Sequence, residues 1–132
     1  MTISYFRTGE TLVTGSGAIS KIGEEAKKLN ATKVIIITDK VIRQTGLLSK
    51  VINPLEEAGL ATDIIDDVVP EPPFENLEQM ITQIDGKGYD LLVGVGGGSA
   101  LDIAKVLSIM LTNQEDVRDL VGIEKVKNPG VP

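Results

Sequence analysis

One segment constrains this chain more than any other. The apolar run Leu91-Leu92-Val93-Gly94-Val95 passes directly into Gly96-Gly97-Gly98-Ser99, and a helical pattern then extends from Ala100 to about Leu111. A short apolar run bounded by turn residues suits a central strand, and the strand, glycine turn and helix follow one another without a spacer. Lys33 to Thr38 is a second such run, β-branched almost throughout, and its pattern suits a parallel strand buried on both faces.

The intervening segments alternate with these strands. Gly15-Ser16-Gly17 opens a helix that puts Ile19, Ile22, Ala26 and Leu29 on one face. Ser49 to Ala58 reads as a helix with Val51, Ile52, Leu55 and Ala58 inward and Gly59 as its stop; Pro54 either begins it behind Asn53 or kinks it. Thr62 to Asp66 is a further strand, and the loop Val69-Pro70-Glu71-Pro72-Pro73 is barred from strand or helix interiors by its prolines. Leu77, Met80, Ile81 and Ile84 then mark a helix closed by Gly86-Lys87-Gly88. Ile3 to Arg7 and Thr11 to Val13 read as an amino-terminal β-hairpin. The fold expected is α/β: an open, mainly parallel Rossmann-like sheet with helices on both faces and that hairpin in front. At 132 residues the chain has room for one domain.

Composition narrows the partners. A formal charge of −6, carried wholly by the second half, argues against nucleic acid or an anionic membrane face, since both require a cationic surface. No apolar stretch approaches the ~20 residues of a membrane span, and Met1-Thr2-Ile3-Ser4 has no export signal. The absence of cysteine removes disulfide and thiolate chemistry and fits the cytoplasm. The absence of histidine removes the usual neutral-pH base and the commonest transition-metal ligand.

The chemistry therefore points to the glycine loop. Backbone N–H groups and the positive end of the helix dipole converge there, and glycines let an anionic group come close. Ser99 with Asp102 three residues on also fits a capping box, and both roles are compatible. Gly15-x-Gly17 is a poorer cradle because Ser20 stands where a third glycine is required. Asp39, at the end of Ile37-Thr38-Asp39, suits either ribose hydroxyls or a helix N-cap. The helix after Ser99 is apolar on nearly every side except for Asp102, Lys105 and Ser108, so a further domain or subunit is expected to cover it. On the polar stripe itself, Asp102 and Lys105 are spaced for an i,i+3 ion pair.

Taken together, Gly15-Ser16-Gly17-Ala18, Ile37-Thr38-Asp39, Val69-Pro70-Glu71-Pro72 and above all Gly96-Gly97-Gly98-Ser99-Ala100-Leu101-Asp102-Ile103-Ala104-Lys105 resemble the iron-containing alcohol dehydrogenase family. The resemblance implies that residues 1–132 are an NAD(P)-binding domain, with Gly96, Gly97, Gly98, Ser99 and Asp102 at the pyrophosphate loop, Asp39 near the adenosine ribose and Pro70 beside the adenine. It also implies an all-helical second domain, expected after residue 132, that holds iron or zinc on one aspartate and three histidines. This chain has no histidine to supply. NAD is expected over NADP because Asp39 would repel a 2′-phosphate. The expected activity is oxidation of an alcohol, or reduction of an aldehyde, with the metal in the second domain and this chain alone inactive. A glycerol or polyol dehydrogenase cofactor domain, or a stand-alone nucleotide-binding module, are the alternatives. Pairing of two copies through the hairpin edge is also expected.

Overall fold

The computed structural model describes residues 13–112 and Pro132. The expected hairpin, and any pairing of copies through it, falls on residues outside that set.

The sheet is built around β1 (Lys33–Ile37), whose Val34, Ile35, Ile36 and Ile37 are all fully buried. β2 (Ala61–Ile65) and β3 (Leu91–Gly94) pair with it on either side, both parallel, in the order β2-β1-β3. Successive side chains of β1 point to opposite faces, so each face of the sheet requires its own cover. Val34 and Ile36 pack with Ala26, Val51 and Leu55, from α1 (Ile22–Lys28) and α3 (Ser49–Glu57). Ile35 and Ile37 pack with Leu77, Met80 and Ile84 of α4 (Phe74–Ile84) and with Ile103 and Leu107 of α5 (Gly98–Thr112). The architecture is therefore the open, parallel, Rossmann-like α/β sheet, covered by helices on both faces.

Three local features depart from the periodicity, and α3 settles the place of Pro54. Ala18–Lys21 is a single 3-10 turn and α1 spans only seven residues, so Ile19 and Leu29 fall out of phase with Ala26 and stand 44% and 52% exposed. Helix α3 begins at Ser49 and accommodates Pro54 inside it. That turn lies against Gly23 of α1, where an added Cβ would come within 2.4 Å of the Pro54 carbonyl oxygen. A five-residue helix, α2 (Lys40–Gln44), follows β1 at a place where no periodic pattern marks it. Finally, β2 is shifted by one residue towards the amino terminus relative to the expected Thr62–Asp66.

On α5, Ala100, Ile103, Ala104, Leu107 and Met110 are buried and Val106 and Ile109 partly so, while Leu101 is 45% exposed. Asp102 and Lys105 are both exposed and form no ion pair with each other. Among the described residues no helix is long and apolar enough to cross a membrane.

Candidate functional site

Three parallel strands end side by side, and their carboxyl-terminal loops form a cleft of about 560 Å³ lined by 39–42, 66–70 and 97–100. The crossover from β1 leads to β2 on one side, whereas β3 lies on the other, so the loops after β1 and β3 diverge and leave a crevice between them. Ligands of open α/β sheets bind at such switch points.

Thr38 fixes the floor of this crevice. It is the one fully buried polar residue among those described, and its hydroxyl donates to the Val95 carbonyl at 2.8 Å. Its own N–H donates to Ile65 O at 2.9 Å, and its carbonyl accepts from Val68 N–H at 3.2 Å. A single threonine thus ties the loops after all three strands together. Sequence reasoning passed over it, because a threonine at a strand end carries no periodic signal.

Asp39 follows directly. One carboxylate oxygen accepts the Ile42 N–H at 2.8 Å, which makes Asp39 the N-cap of α2. The helix-cap role is therefore realised, and the residue still lines the cleft. Its other oxygen is directed toward Gly96, 3.7 Å from where a Cβ on that glycine would lie.

The three glycines of the loop are not equivalent. Gly96 has φ +139°, a conformation that side chains rarely adopt, and a Cβ there would sit 3.3 Å from the Ala100 methyl. Gly97 and Gly98 have no such φ, and a Cβ at either would meet no atom within 4 Å. Both line the cleft, so the space a side chain would fill is left to the cleft itself. The Gly97 carbonyl accepts the Leu101 N–H at 3.3 Å, so α5 starts two residues earlier than a Ser99 cap would require. The Ser99–Asp102 capping box consequently does not form. Ser99 lies in the first turn, exposed and in the cleft, and its hydroxyl has no partner among the described residues. Asp102 is exposed on α5 and does not line the cleft. Pro70 lies on the opposite wall with Val69. Gly15 and Gly17, with φ +122° and +77°, lie away from the cleft and shape the turn before α1.

The polar wall is charged but internally paired. Lys40 donates to Asp66 at 3.2 Å and to Asp67 at 3.3 Å, and Arg43 donates to Asp66 at 3.0 Å. Partial burial acts to raise the Asp66 pKa, but the hydrogen bonds from Lys40 and Arg43 outweigh it and hold this carboxyl below the usual range. The hydrogen bonds that Lys40 donates, first to Asp66 and then to Asp67, hold its ammonium above the usual value. A transition-metal centre does not fit: the sequence has neither histidine nor cysteine, and among the described residues no three potential ligands cluster.

Comparisons with known proteins bear on the family and the fold. The sequence profile described as iron-containing alcohol dehydrogenase matches residues 9–132. A long-chain-alcohol dehydrogenase of Geobacillus thermodenitrificans is 38% identical over 122 residues, covering 89% of this chain and 31% of the relative. Among solved structures, an alcohol dehydrogenase from Oenococcus oeni superposes with a TM-score of 0.80 at 37% identity, over 88% of this chain and 31% of the other. An NADH-dependent butanol dehydrogenase from Thermotoga maritima gives a TM-score of 0.79 at 28% identity, over 90% of this chain and 30% of the other. The chain thus spans about a third of the length of the relatives it matches.

Proposed function

The chain belongs to the iron-containing alcohol dehydrogenase family, and from that premise we propose that its cleft binds a nicotinamide adenine dinucleotide, NAD in preference to NADP. The observation that carries the reading is the open space over Gly97 and Gly98 at the start of a fifteen-residue helix. Free backbone N–H groups and the helix dipole make that space favourable for a pyrophosphate, and a Cβ at either glycine would occupy it. The Ser99 hydroxyl is available as a further donor. Asp39 would accept hydrogen bonds from the adenosine ribose while still capping α2, and Val69 with Pro70 would offer the adenine an apolar wall. Gly96 contributes through its backbone conformation, and Asp102 is left without a contact.

The dinucleotide, when bound, supplies the hydride acceptor or donor for an alcohol and aldehyde pair. The residues of this chain bind and orient it; with neither histidine nor cysteine in the sequence, none is suited to holding a transition metal that would polarise the substrate oxygen. We assign that task, together with iron or zinc, to residues outside this chain, in a helical domain expected after residue 132, and we expect the chain alone to be inactive. The names of its relatives, long-chain alcohol in one and butanol in another, support an alcohol without fixing which one. We also assign the protein to the cytoplasm.

Titration of NADH, followed by nicotinamide fluorescence, tests the proposal. Saturable binding at one equivalent per chain is expected, and a linear response without saturation overturns it.

A further inference from the structure

Within the dinucleotide reading of the cleft, on which this inference rests, we propose that Asp66 is a specificity-determining residue: it holds Lys40 and Arg43 away from the place a 2′-phosphate would occupy. Lys40 is the only cation among the described residues that line the cleft, and it directly follows Asp39 in the chain. A lysine beside the ribose-binding carboxylate would ordinarily be able to swing across and neutralise a 2′-phosphate. Here its ammonium is engaged by two carboxylates, Asp66 at 3.2 Å and Asp67 at 3.3 Å. Arg43, on the same short helix, is engaged by Asp66 at 3.0 Å.

Backbone pairing gives this clamp a fixed base. Thr38 N–H bonds Ile65 O, Val68 N–H bonds Thr38 O, and Asp39 and Asp67 form an antiparallel bridge. Residues 65–68 are therefore fastened to 38–39, and Asp66 meets the cations of α2 from a base held by backbone hydrogen bonds. The Asp66 side chain is 23% exposed against 66% for Lys40 and 51% for Arg43, so the acid is the anchored partner and the cations are the ones free to move. Selection against a 2′-phosphate then has two parts. Asp39 repels it, and Asp66 withholds Arg43 and, together with Asp67, Lys40, the two cations that would offset the repulsion.

Partly exposed ion pairs are individually weak, so releasing two of them corresponds to about a threefold to tenfold gain in affinity for the phosphorylated cofactor. NADPH and NADH binding are to be compared at one low, fixed ionic strength for wild type, Asp66→Asn and Asp66→Ser. The same substitutions are then made in a Lys40→Met/Arg43→Met background. The expected result is a gain for NADPH of that size in both Asp66 variants, NADH affinity within about twofold of wild type, and no gain in the background lacking the two cations. A gain of equal size in that background would reveal only the removal of a negative charge and overturn the clamp. No gain in either variant, with NADH still bound, would also overturn it and leave the dinucleotide reading intact. Failure of the wild type to bind either cofactor would overturn both.

Discussion

Asp39 and Gly96 face each other where the loops after β1 and β3 diverge. One carboxylate oxygen of Asp39 would stand 3.7 Å from a Cβ built on Gly96, while the other accepts the Ile42 N–H at 2.8 Å. A single side chain thus caps a helix and presents charge at the crevice, and substitution can separate the two roles. Asparagine caps a helix about as well as aspartate, whereas alanine costs about 1 kcal/mol. Asp39→Asn should therefore keep the melting temperature and narrow the preference for NAD over NADP. At about 4 Å and an effective dielectric near 20 two charges repel by roughly 4 kcal/mol, and even a solvent-reduced ~1.4 kcal/mol is tenfold. Asp39→Ala should narrow it equally and also lower stability. Calorimetric binding at fixed salt checks both, and an unchanged preference in Asp39→Asn would reduce Asp39 to a cap.

The glycine loop should separate in the same way. Gly96→Ala forces a side chain into φ +139° against the Ala100 methyl, a strain of about 1–3 kcal/mol. Gly98→Ala meets no protein atom within 4 Å and should leave stability within about 0.5 kcal/mol while weakening dinucleotide binding. Urea unfolding of the two variants gives the comparison. Equal stabilities would contradict the distinction drawn between these glycines.

Away from the cleft, Gly23→Ala should be costly. Its Cβ would approach the Pro54 carbonyl oxygen to 2.4 Å, so α1 must move off α3 at about 1–3 kcal/mol, the usual cost of overpacking. A variant as stable as wild type in denaturant would show that the two helices separate freely.

Stability should also fall in acid, in part through Asp90. Its carboxylate accepts the Thr32 and Lys33 N–H groups at 2.9 Å and the Thr32 hydroxyl at 2.6 Å, joining the start of β1 to the residue before β3. Burial acts to raise its pKa, but these bonds prevail and the net shift is downward. The folded pKa lies below the unfolded one, so the unfolded chain takes up the proton first as pH falls. The contribution is complete above the unfolded value of about 3.9 and is lost as pH drops through the folded value. Asp90→Asn should lose less stability than wild type as pH falls below the unfolded value. Identical acid limbs in the two proteins would exclude Asp90 as a contributor.

The sequence announced β1 as a strand buried on both faces, because a run such as Val34 to Ile37 has few other uses; β3, legible as a strand, is buried only at Leu91 and partly so from Leu92 to Gly94. It also announced α4, whose Leu77, Met80 and Ile84 keep strict helical spacing and are all buried. It marked α2 only through Asp39 as a possible N-cap, because the helix is too short to show a period. It misjudged Ile19 and Leu29, because a 3-10 turn and an early helix end changed their phase. At the site, the glycines and Asp39 were visible as residue types. The start of α5 at Gly98 was not, since Ser99 is the better capping residue by preference and the backbone bond from Leu101 to Gly97 prevailed. The clamp of Lys40 and Arg43 on Asp66 joins residues more than twenty positions apart and has no signature along the chain.

The most direct test of the account is calorimetric titration of NAD into the wild-type chain and into Gly97→Val. The Gly97 backbone has no positive φ and the space above it is empty, so the variant should keep the wild-type circular dichroism and melting behaviour. Its side chain would fill the place assigned to the pyrophosphate. The account predicts binding of one NAD per wild-type chain and a loss of at least about tenfold, ~1.4 kcal/mol, in the variant. Equal affinities in two folded proteins, or a wild-type chain that binds no NAD, would contradict it.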